Sequence, residues 1–234
     1  MYLFIKHLCA MKKYAIIVAG GSGVRMGAEI PKQFLLLKGK PLLQYTLQSF
    51  LSAYNDLNII LVLPQAHIEK GQEIIKTMNA GERIQITSGG ETRFQSVKNG
   101  LSNITHPSVV FVHDGVRCMV SQQLIQNCYD QAVAKGSAVP AVAATDSIRI
   151  DEGAYHYTID RSKVRIIQTP QTFRSEILAE AFNQEYNETF TDEATVVEAA
   201  GNKVFLIEGD YNNLKITRPI DLCIAEKLLE SFIS

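Results

Sequence analysis

The stretch KYAIIVAGGSGVRMG, at residues 13–27, indicates the fold. Residues 13–19 form a short apolar run rich in β-branched side chains, which is typical of a strand buried on both faces of a parallel sheet. The glycine-rich residues that follow allow backbone N–H groups to surround phosphate oxygens, because no Cβ blocks an approaching anion. The sequence therefore predicts a buried strand that ends in an anion-binding loop.

Similar apolar runs recur along the chain at residues 57–63, 109–112 and 137–143. Segments with helical character alternate with these strands and are predicted at 41–53, 66–79, 93–101 and 121–135, the last with a Ser N-cap and Gly136 at its end. Towards the C-terminus we expect helices at 175–187 and 191–200, a strand at 203–207 and a helix at 219–232. This alternation predicts an α/β fold with right-handed crossovers.

The alternation is interrupted at residues 146–168. The sequence SIRIDEGAYHYTIDR in this region is typical of two strands joined by an Asp-Glu-Gly turn. A lone hairpin cannot bury both of its faces. We therefore expect an arm that lies on its own domain or reaches across to another subunit.

Composition narrows the class of protein. The 234 residues are 46% hydrophobic, which suffices for one large domain, and the formal net charge of −1 argues against nucleic acid as a partner. No apolar run is long enough for a membrane span, and the four cysteines form no Cys-x-x-Cys pair. We expect a cytoplasmic protein with a disordered N-terminal extension at residues 1–12 and a single domain at 13–234.

The glycine-rich loop departs from two common nucleotide-binding patterns. No Gly-Lys-Ser/Thr tripeptide follows it, as a Walker A motif requires, and Met26 stands where a dinucleotide fingerprint needs its third glycine. Instead, Arg25 lies within the loop and Lys32 just beyond it. Two cations suit a nucleoside triphosphate of about four negative charges. A glycine turn with solvated cations is the structural alternative.

Two further loops carry candidate ligand-binding residues. The loop at 88–96 opens a helix and either seats a base or ribose edge or forms a simple turn with Thr92 as N-cap. Asp114 and Arg117 follow the strand at 109–112, at the sheet edge where α/β proteins bind ligands. Asp114 suits a ribose hydroxyl or the water shell of Mg²⁺, and Arg117 suits a phosphate. A surface Asp–Arg pair is the alternative.

The later polar motifs can each be accounted for by local structure as well. Thr191 can cap a helix with acidic residues in its first turn, and Lys215 can be a solvated cation on a strand. Their order along the chain adds information. The motifs AGGSGVRMG, PKQF, GGETRFQSV, HDGVR, TIDR, QTPQTF, TDEA and NLKITRPIDL together resemble those of the 2-C-methyl-D-erythritol 4-phosphate cytidylyltransferases of the non-mevalonate isoprenoid pathway.

This resemblance covers the chain from about Lys13 onwards. It implies a Rossmann-like nucleotidyltransferase fold, in which helices flank a mostly parallel, twisted sheet. It also implies a homodimer held by the protruding β-hairpin arm and dependence on a divalent cation, usually Mg²⁺. The implied substrates are CTP and 2-C-methyl-D-erythritol 4-phosphate, which yield the cytidine diphosphate conjugate and pyrophosphate.

The resemblance also implies roles for individual residues. Arg25 and Lys32 match the pair that stabilises the transition state at the α-phosphate. Arg161, supplied by the partner's arm, and Lys215 match the pair that positions the methylerythritol phosphate. The nucleotide site would comprise Ala19, Gly20, Gly21, Ser22, Gly23, Gly90, Glu91, Ser96, Asp114 and Arg117, and the substrate pocket would add Ser147 and Thr169. No direct metal ligand is assigned, Asp114 being the candidate.

The sequence departs from the family pattern at three places. Glu91 stands where Asp is common, Gly115-Val116 where Ala-Ala is common, and Cys118 where Pro is common. The first difference bears on a contact with the base, and the other two bear on the stiffness of the loop.

Three other functions compete with this assignment. A ribitol 5-phosphate cytidylyltransferase has similar glycine-rich and PKQF loops, but TIDR and TDEA favour the erythritol enzyme. A non-catalytic nucleotide-binding module would tolerate loss of Arg25 and Lys32, and both are present. A nicotinamide-dependent oxidoreductase is disfavoured by Met26 and by the lack of an acidic ribose partner near position 40.

Overall fold

The computed structural model of the protein describes residues 11–21, 30–78 and 80–233. The strands are β1 (Lys12–Val18), β2 (Leu36–Leu37), β3 (Lys40–Pro41), β4 (Leu57–Leu63), β5 (Ile84–Ser88), β6 (Ser108–Asp114), β7 (Ser137–Ala143), β8 (Arg149–Asp151), β9 (His156–Thr158), β10 (Arg165–Ile167), β11 (Gln171–Arg174) and β12 (Leu206–Glu208). The helices are α1 (Leu42–Ala53), α2 (Ile68–Lys76), α3 (Arg93–Leu101), α4 (Gln122–Lys135), α5 (Ser175–Ala181), α6 (Glu193–Ala199) and α7 (Pro219–Ile233). Short 3-10 turns include Lys32–Phe34, Gln65–His67 and Arg161–Lys163.

Eight of the described strands form one central sheet. Its order is β10–β7–β11–β6–β1–β4–β5, and β12 pairs with β7 in addition. The pairs β6–β1, β1–β4, β4–β5 and β7–β12 are parallel, whereas β10 and β11 run antiparallel to their neighbours. This confirms the prediction of a mostly parallel sheet flanked by helices.

The order of the strands predicts where a ligand binds. From β1 the chain proceeds outwards through β4 to β5 and then returns to β6 on the opposite side of β1. This reversal opens a crevice at the carboxyl ends of β1 and β6, where open α/β sheets bind ligands. The glycine-rich loop after β1 and the Asp114 segment at the end of β6 therefore meet at one edge of the sheet.

The core has a layer on each face of the sheet. Along β1, Ala15 and Ile17 pack with residues of α1, α2 and α4, whereas Ile16 packs with residues of α3, α5 and α6. Such alternation follows from the two-residue period of a strand, and burial of both faces explains the nearly continuous apolar run. A third cluster joins α7 to the segment after β6 through Ala225, Ile216, Val116 and Cys118.

Local signals identified the ends of two helices correctly. The Ser121 hydroxyl accepts a hydrogen bond from the Leu124 backbone N–H at 3.2 Å, and Gly136 follows α4 with a φ of +92°. Thr92 caps α3 within a complete capping box that includes Gln95. Both devices satisfy backbone groups that a helix end leaves without partners.

Several predicted boundaries were wrong. Helix α2 begins at Ile68 because a 3-10 turn precedes it, and α5 ends at Ala181 rather than at residue 187. Helix α6 is capped by Asp192, not by Thr191, because the Asp192 carboxylate accepts from the Thr195 backbone N–H at 2.9 Å. Strand β12 begins at Leu206 rather than at 203.

The largest omission in the prediction is the strands β10 and β11, which lie on either side of β7 and run antiparallel to it. Strand β11 lies between β6 and β7 in the sheet, yet it begins with the polar residues Gln171 and Thr172. Gln171 is buried because its side chain accepts from the Ala194 backbone N–H and donates to Asp192, each at 2.8 Å. A strand whose polar side chains are satisfied by tertiary contacts has no apolar run to reveal it.

The N-terminal boundary of the fold lies earlier than predicted. Lys12 already belongs to β1, and Met11 packs against the core. Residues 1–10 of the predicted extension lie outside the described residues. Within 11–21, 30–78 and 80–233, no helix combines the length and apolar character that a bilayer span demands.

The predicted hairpin is present as strands β8 and β9. They pair antiparallel, and the turn between them contains Gly153 with a φ of +77°. The arm is largely exposed, and the rings of Tyr155 and Tyr157 stack with centroids 6.4 Å apart.

Candidate active site

A cavity of about 560 Å³ opens at the crevice between the carboxyl ends of β1 and β6. Its wall includes nine residues that the sequence identified, namely Ala19, Gly20, Gly21, Lys32, Gly90, Glu91, Ser96, Asp114 and Lys215. The structure thus brings residues from five separate motifs to one concave site, as expected of a ligand pocket. Three further predicted site residues, Ser22, Gly23 and Arg25, lie outside the described residues.

The loop after β1 is anchored by the neighbouring strands. The Ala19 backbone N–H donates to the Val62 carbonyl at 3.0 Å, and the Gln33 side-chain amide donates to the Ala19 carbonyl at 2.7 Å. A Cβ at Gly20 would meet no described atom within 4 Å, so the space beside this backbone is open. The anchors hold the start of the loop, and the glycine leaves room for a ligand.

Lys32 lies directly against this loop. It begins the 3-10 turn Lys32–Phe34, and a Cβ added to Gly21 would lie 3.3 Å from Lys32 Cε. Phe34 is buried and fixes the turn in the core, whereas Lys32 is only half-buried and lines the cavity. The cation is therefore held beside backbone that an anion can approach.

The second glycine-rich loop is shaped by the start of α3. The Gly90 backbone N–H donates to the Ser96 hydroxyl at 3.1 Å, and the Glu91 N–H donates to the Gln95 side-chain oxygen at 2.9 Å. A Cβ at Gly90 would lie only 2.5 Å from Gln95 Cβ, so this position requires glycine. The N-cap interpretation of Thr92 is confirmed, and it coexists with a place for Gly90 and Glu91 in the cavity wall.

Asp114 is the electrostatic centre of the site. Its Oδ2 lies 2.9 Å from Lys215 Nζ and 3.5 Å from Arg117 Nε, and its Oδ1 lies 3.5 Å from Arg93 Nη2. Burial alone would raise the pKa of this carboxyl, but Arg93, Lys215 and Arg117 together hold it well below its usual range. Asp114 therefore stays ionised and arranges the cations around it.

Arg117 is buried behind Asp114 and does not line the cavity. Its Nη1 donates to the Asn213 carbonyl at 2.7 Å, and the Asn213 side-chain amide donates to the Thr169 carbonyl at 2.8 Å. Burial lowers the pKa of the Arg117 guanidinium, and Asp114 opposes that effect. These bonds hold the segment that carries Lys215, so that Lys215 reaches the cavity. A direct contact of Arg117 with a phosphate stays a prediction.

His113 supports Asp114 from inside the core. Its Nε2 lies 3.1 Å from the Arg117 carbonyl and its Nδ1 3.0 Å from the Thr169 hydroxyl, which accepts from the Asp114 backbone N–H at 3.1 Å. Because a carbonyl only accepts, Nε2 carries the proton and Nδ1 accepts from Thr169. Burial lowers the pKa of His113 to about 3. The neutral imidazole and Thr169 thus have a structural role behind the cavity, and a contact of Thr169 with substrate stays a prediction.

Two residues on the arm lie away from the cavity of their own chain. Arg161 is exposed, and its Nη1 donates to the Thr145 carbonyl at 2.8 Å. Ser147 is exposed at the base of the hairpin. Neither residue lines the cavity of its own chain, and their assignment to the substrate stays a prediction.

Arg93 and Glu193 lie in the GGETRFQSV and TDEA motifs, but the sequence alone predicts no function for either residue. Arg93 lines the cavity, and its guanidinium pairs with the Glu193 carboxylate on one side and with Asp114 on the other. Glu193 is 1% exposed. An acidic residue in the first turn of a short helix is ordinary on local grounds, so only the tertiary contact distinguishes it.

Comparisons with known proteins agree with this geometry. The sequence of the Porphyromonas gingivalis (strain ATCC 33277) 2-C-methyl-D-erythritol 4-phosphate cytidylyltransferase is 47% identical over 221 residues, which cover 94% of this chain and 99% of the relative. The enzyme of the same name from Phocaeicola vulgatus is 43% identical over 219 residues, 94% of this chain and 100% of the relative.

Solved structures show the same architecture. The 4-diphosphocytidyl-2C-methyl-D-erythritol synthase of Anaerococcus prevotii superposes with a TM-score of 0.82 at 27% identity, covering 96% of this chain and 99% of that one. The cytidylyltransferase from Thermus thermophilus superposes with a TM-score of 0.72 at 31% identity, covering 92% and 98%. The family model described as IspD, 2-C-methyl-D-erythritol 4-phosphate cytidylyltransferase, matches residues 13–231. Because this model covers most of the chain and the relatives are 43–47% identical over 94% of it, the chain belongs to the 2-C-methyl-D-erythritol 4-phosphate cytidylyltransferase family.

Proposed function

We propose that this protein transfers a cytidylyl group from CTP to 2-C-methyl-D-erythritol 4-phosphate in isoprenoid precursor biosynthesis. A phosphate oxygen of the methylerythritol phosphate attacks the α-phosphorus of CTP, and the bond from that phosphorus to the β-phosphate oxygen breaks. The products are 4-(cytidine 5′-diphospho)-2-C-methyl-D-erythritol and pyrophosphate. The attacking phosphate is already an anion, so the reaction needs no general base.

The observation that carries this proposal is the meeting of two lysines in one glycine-lined cavity. Lys32 lies against Gly21 at the first loop, and Lys215 forms an ion pair with Asp114 at the end of β6. Two phosphate-bearing substrates have to be brought together against their mutual repulsion, which fixed cations reduce. We assign Lys32, with Arg25, to the transition state at the α-phosphorus and Lys215 to the methylerythritol phosphate.

The nucleotide is assigned to the two glycine-rich loops. Backbone at Ala19, Gly20 and Gly21 would approach the triphosphate, and Gly90, Glu91 and Ser96 would face the cytidine. Glu91 occupies the position where relatives often carry Asp, and its carboxylate suits the exocyclic amino group of cytosine, which is a hydrogen-bond donor. Ser22 and Gly23 are assigned to the same phosphate loop by resemblance.

The residues of the cavity fit a magnesium ion that is carried chiefly by the substrate. Within the described parts of the chain no three metal-ligating side chains cluster together, whereas Asp114 presents one ionised carboxylate at the cavity wall. Mg²⁺ typically keeps several waters and binds through one or two carboxylates together with substrate phosphates. Asp114 would face its water shell, and the bound ion would neutralise charge on the triphosphate.

We propose further that the active unit is a homodimer in which the arm of each chain completes the site of the other. Three observations support this arrangement: among the described strands β8 and β9 pair only with each other, Tyr155 between them is 63% exposed, and Arg161 is not part of the cavity wall of its own chain. Arg161 and Ser147 of the partner would then face the methylerythritol phosphate. The cytoplasmic localisation expected from the cysteine pattern stays a prediction.

An assay of pyrophosphate release tests the proposed reaction. Purified protein with Mg²⁺ and CTP is expected to release pyrophosphate with 2-C-methyl-D-erythritol 4-phosphate and to release it far more slowly with ribitol 5-phosphate. Equal or faster release with ribitol 5-phosphate would overturn the substrate assignment. Binding of CTP without release from either phosphate would favour a non-catalytic nucleotide-binding module.

A further inference from the structure

Glu193 is a buried carboxylate whose charge the proposed chemistry does not use. It begins α6, it is 1% exposed, and its Oε2 has no hydrogen-bond partner among the residues that the structure describes. Its Oε1 pairs closely with Arg93 Nη1. Leaving a buried carboxylate oxygen unsatisfied costs stability, and replacement of a buried ion pair by apolar residues is often neutral or stabilising. Stability alone therefore does not account for the pair.

The geometry around Arg93 links this pair to the cavity. Arg93 is the first residue of α3 and lines the cavity, and its two terminal nitrogens face different carboxylates. Nη1 makes the close contact to Glu193, whereas Nη2 stands 3.5 Å from Oδ1 of Asp114, the outer limit for a hydrogen bond. Of the two carboxylates, Glu193 therefore makes the closer contact with the guanidinium.

The two oxygens of Asp114 consequently have unequal partners. Oδ2 is engaged by Lys215 at 2.9 Å and faces Arg117 at 3.5 Å. Oδ1 faces Arg93 Nη2 at 3.5 Å. A planar guanidinium released from Glu193 would form a closer, bidentate pair with a carboxylate at that distance.

We propose that Glu193 is a positioning residue of the reaction: by holding Arg93 on its own carboxylate, it keeps the guanidinium from closing onto Asp114 and leaves Oδ1 to accept a hydrogen bond from the bound substrates. The inference rests on the proposed cytidylyl transfer, because it is in that reaction that Oδ1 of Asp114 would accept a hydrogen bond from the substrates. Glu193 itself contacts no substrate and acts through Arg93.

Charge balance supports this arrangement. Burial raises the pKa of the Glu193 carboxyl, and the closely paired Arg93 guanidinium opposes that effect. In this ion pair, Glu193 and Asp114 set two negative charges against the three positive charges of Arg93, Lys215 and Arg117. Burial alone would lower the pKa of Arg93, but Glu193, Asp114 and Asp192 outweigh that effect and raise it, so the guanidinium is always charged. Loss of the Glu193 charge would remove the carboxylate in closest contact with Arg93 and leave the guanidinium more strongly attracted to Asp114.

The first test is structural and does not depend on turnover. In crystal structures of the wild type and of Glu193→Gln, the variant is expected to show Arg93 within about 3.0 Å of Asp114 Oδ1, a normal hydrogen-bond distance. The wild type is expected to keep the wider separation. An unchanged Arg93–Asp114 distance in the variant would overturn the proposal, whatever reaction the protein catalyses.

The second test is a double-mutant cycle on kcat/KM for methylerythritol phosphate at saturating CTP. In the wild-type background, Glu193→Gln is expected to lower kcat/KM roughly tenfold or more. In the Arg93→Gln background, the same substitution is expected to lower kcat/KM less than about twofold, because the effects of coupled residues are not additive. Glu193→Asp, which keeps the negative charge, is expected to retain most of the activity. It replaces Glu193→Gln as the test variant if Glu193→Gln does not fold. The matched control is Glu198→Gln, at an exposed site on the same helix.

The outcomes of the cycle distinguish a positioning role of Glu193 from a purely structural one. Equal losses from Glu193→Gln in the wild-type and Arg93→Gln backgrounds would indicate a purely structural role and reject the positioning role. Wild-type activity in Glu193→Gln would reject it as well. Absence of turnover in the wild-type protein would instead reject the proposed function, and the crystallographic distance would still decide the role of Glu193.

Discussion

The ammonium nitrogen of Lys215 lies 2.9 Å from Oδ2 of Asp114, so the loop before α7 is joined to the end of β6 at the cavity wall. Neither residue is local to the other in sequence. The contact forms because Asn213 is hydrogen-bonded to both Arg117 and Thr169. The Ile216 backbone N–H also donates to the Val116 carbonyl at 3.1 Å.

This relationship predicts a large effect of Asp114→Asn. Its three cationic neighbours would lose their shared counter-charge, so we expect activity to fall roughly a hundredfold or more. Unfolding free energy should fall by about 3–5 kcal/mol, as for a broken buried ion pair. Steady-state assays and urea melts measure both effects. Asp56→Asn, which breaks an exposed pair with Lys13, is the control and should leave activity unchanged.

Lys32→Ala is expected to lower kcat roughly a hundredfold or more while the protein keeps its fold, because the lysine acts on charge that develops in the transition state. The matched control is Lys40→Ala, an exposed lysine in β3 that is not part of the cavity wall. Circular dichroism should show identical spectra for both variants. Turnover at the wild-type rate in Lys32→Ala would remove this residue from the mechanism. Arg25→Ala is expected to behave in the same way as Lys32→Ala.

The shared-site arrangement predicts complementation between two inactive variants. Homodimers of Lys32→Ala and of Arg161→Ala should both be nearly inactive. After co-refolding, one site in each mixed dimer would have both residues intact, so about a quarter of all sites should recover if mixing is random and the dimer is two-fold symmetric. Native mass spectrometry would verify that mixed dimers formed. Mixed dimers without recovered activity would show that Arg161 does not act across the interface.

His113 predicts a specific dependence of stability on pH. Its pKa is lowered by burial from 6.5 to about 3, so the unfolded chain binds more protons than the folded chain between those values. The stability that the neutral imidazole contributes is present above pH 6.5 and is lost as pH falls towards 3, with a slope of up to about 1.4 kcal/mol per pH unit.

The matching experiment compares the wild type with His113→Gln, whose amide can still donate to the Arg117 carbonyl. Unfolding free energies at pH 7 and pH 5 should differ less in the variant than in the wild type, because the titrating group is gone. Identical pH dependence in the two proteins would mean that His113 is not the group responsible.

The elements that the sequence predicted correctly are those with local causes. Strands β4 and β7 have the predicted bounds because burial on both faces makes each a nearly continuous apolar run, and α4 ends where Gly136 takes a positive φ. The glycine-rich loops were located for a similar reason, since glycines directly after a buried strand mark backbone that turns sharply or that a ligand approaches closely. Lys32 was identified from the same neighbourhood.

The remaining features depend on contacts between segments that are distant in sequence. Strand β11 enters the sheet with a buried Gln171 that finds its partners on α6, and Glu193 gains its role only by packing against Arg93. Arg117 and Thr169 lie behind the cavity rather than in its wall. The sequence does not show whether a polar side chain forms its hydrogen bonds with water or with a side chain distant in sequence. Burial and pairing are therefore decided only when the chain folds.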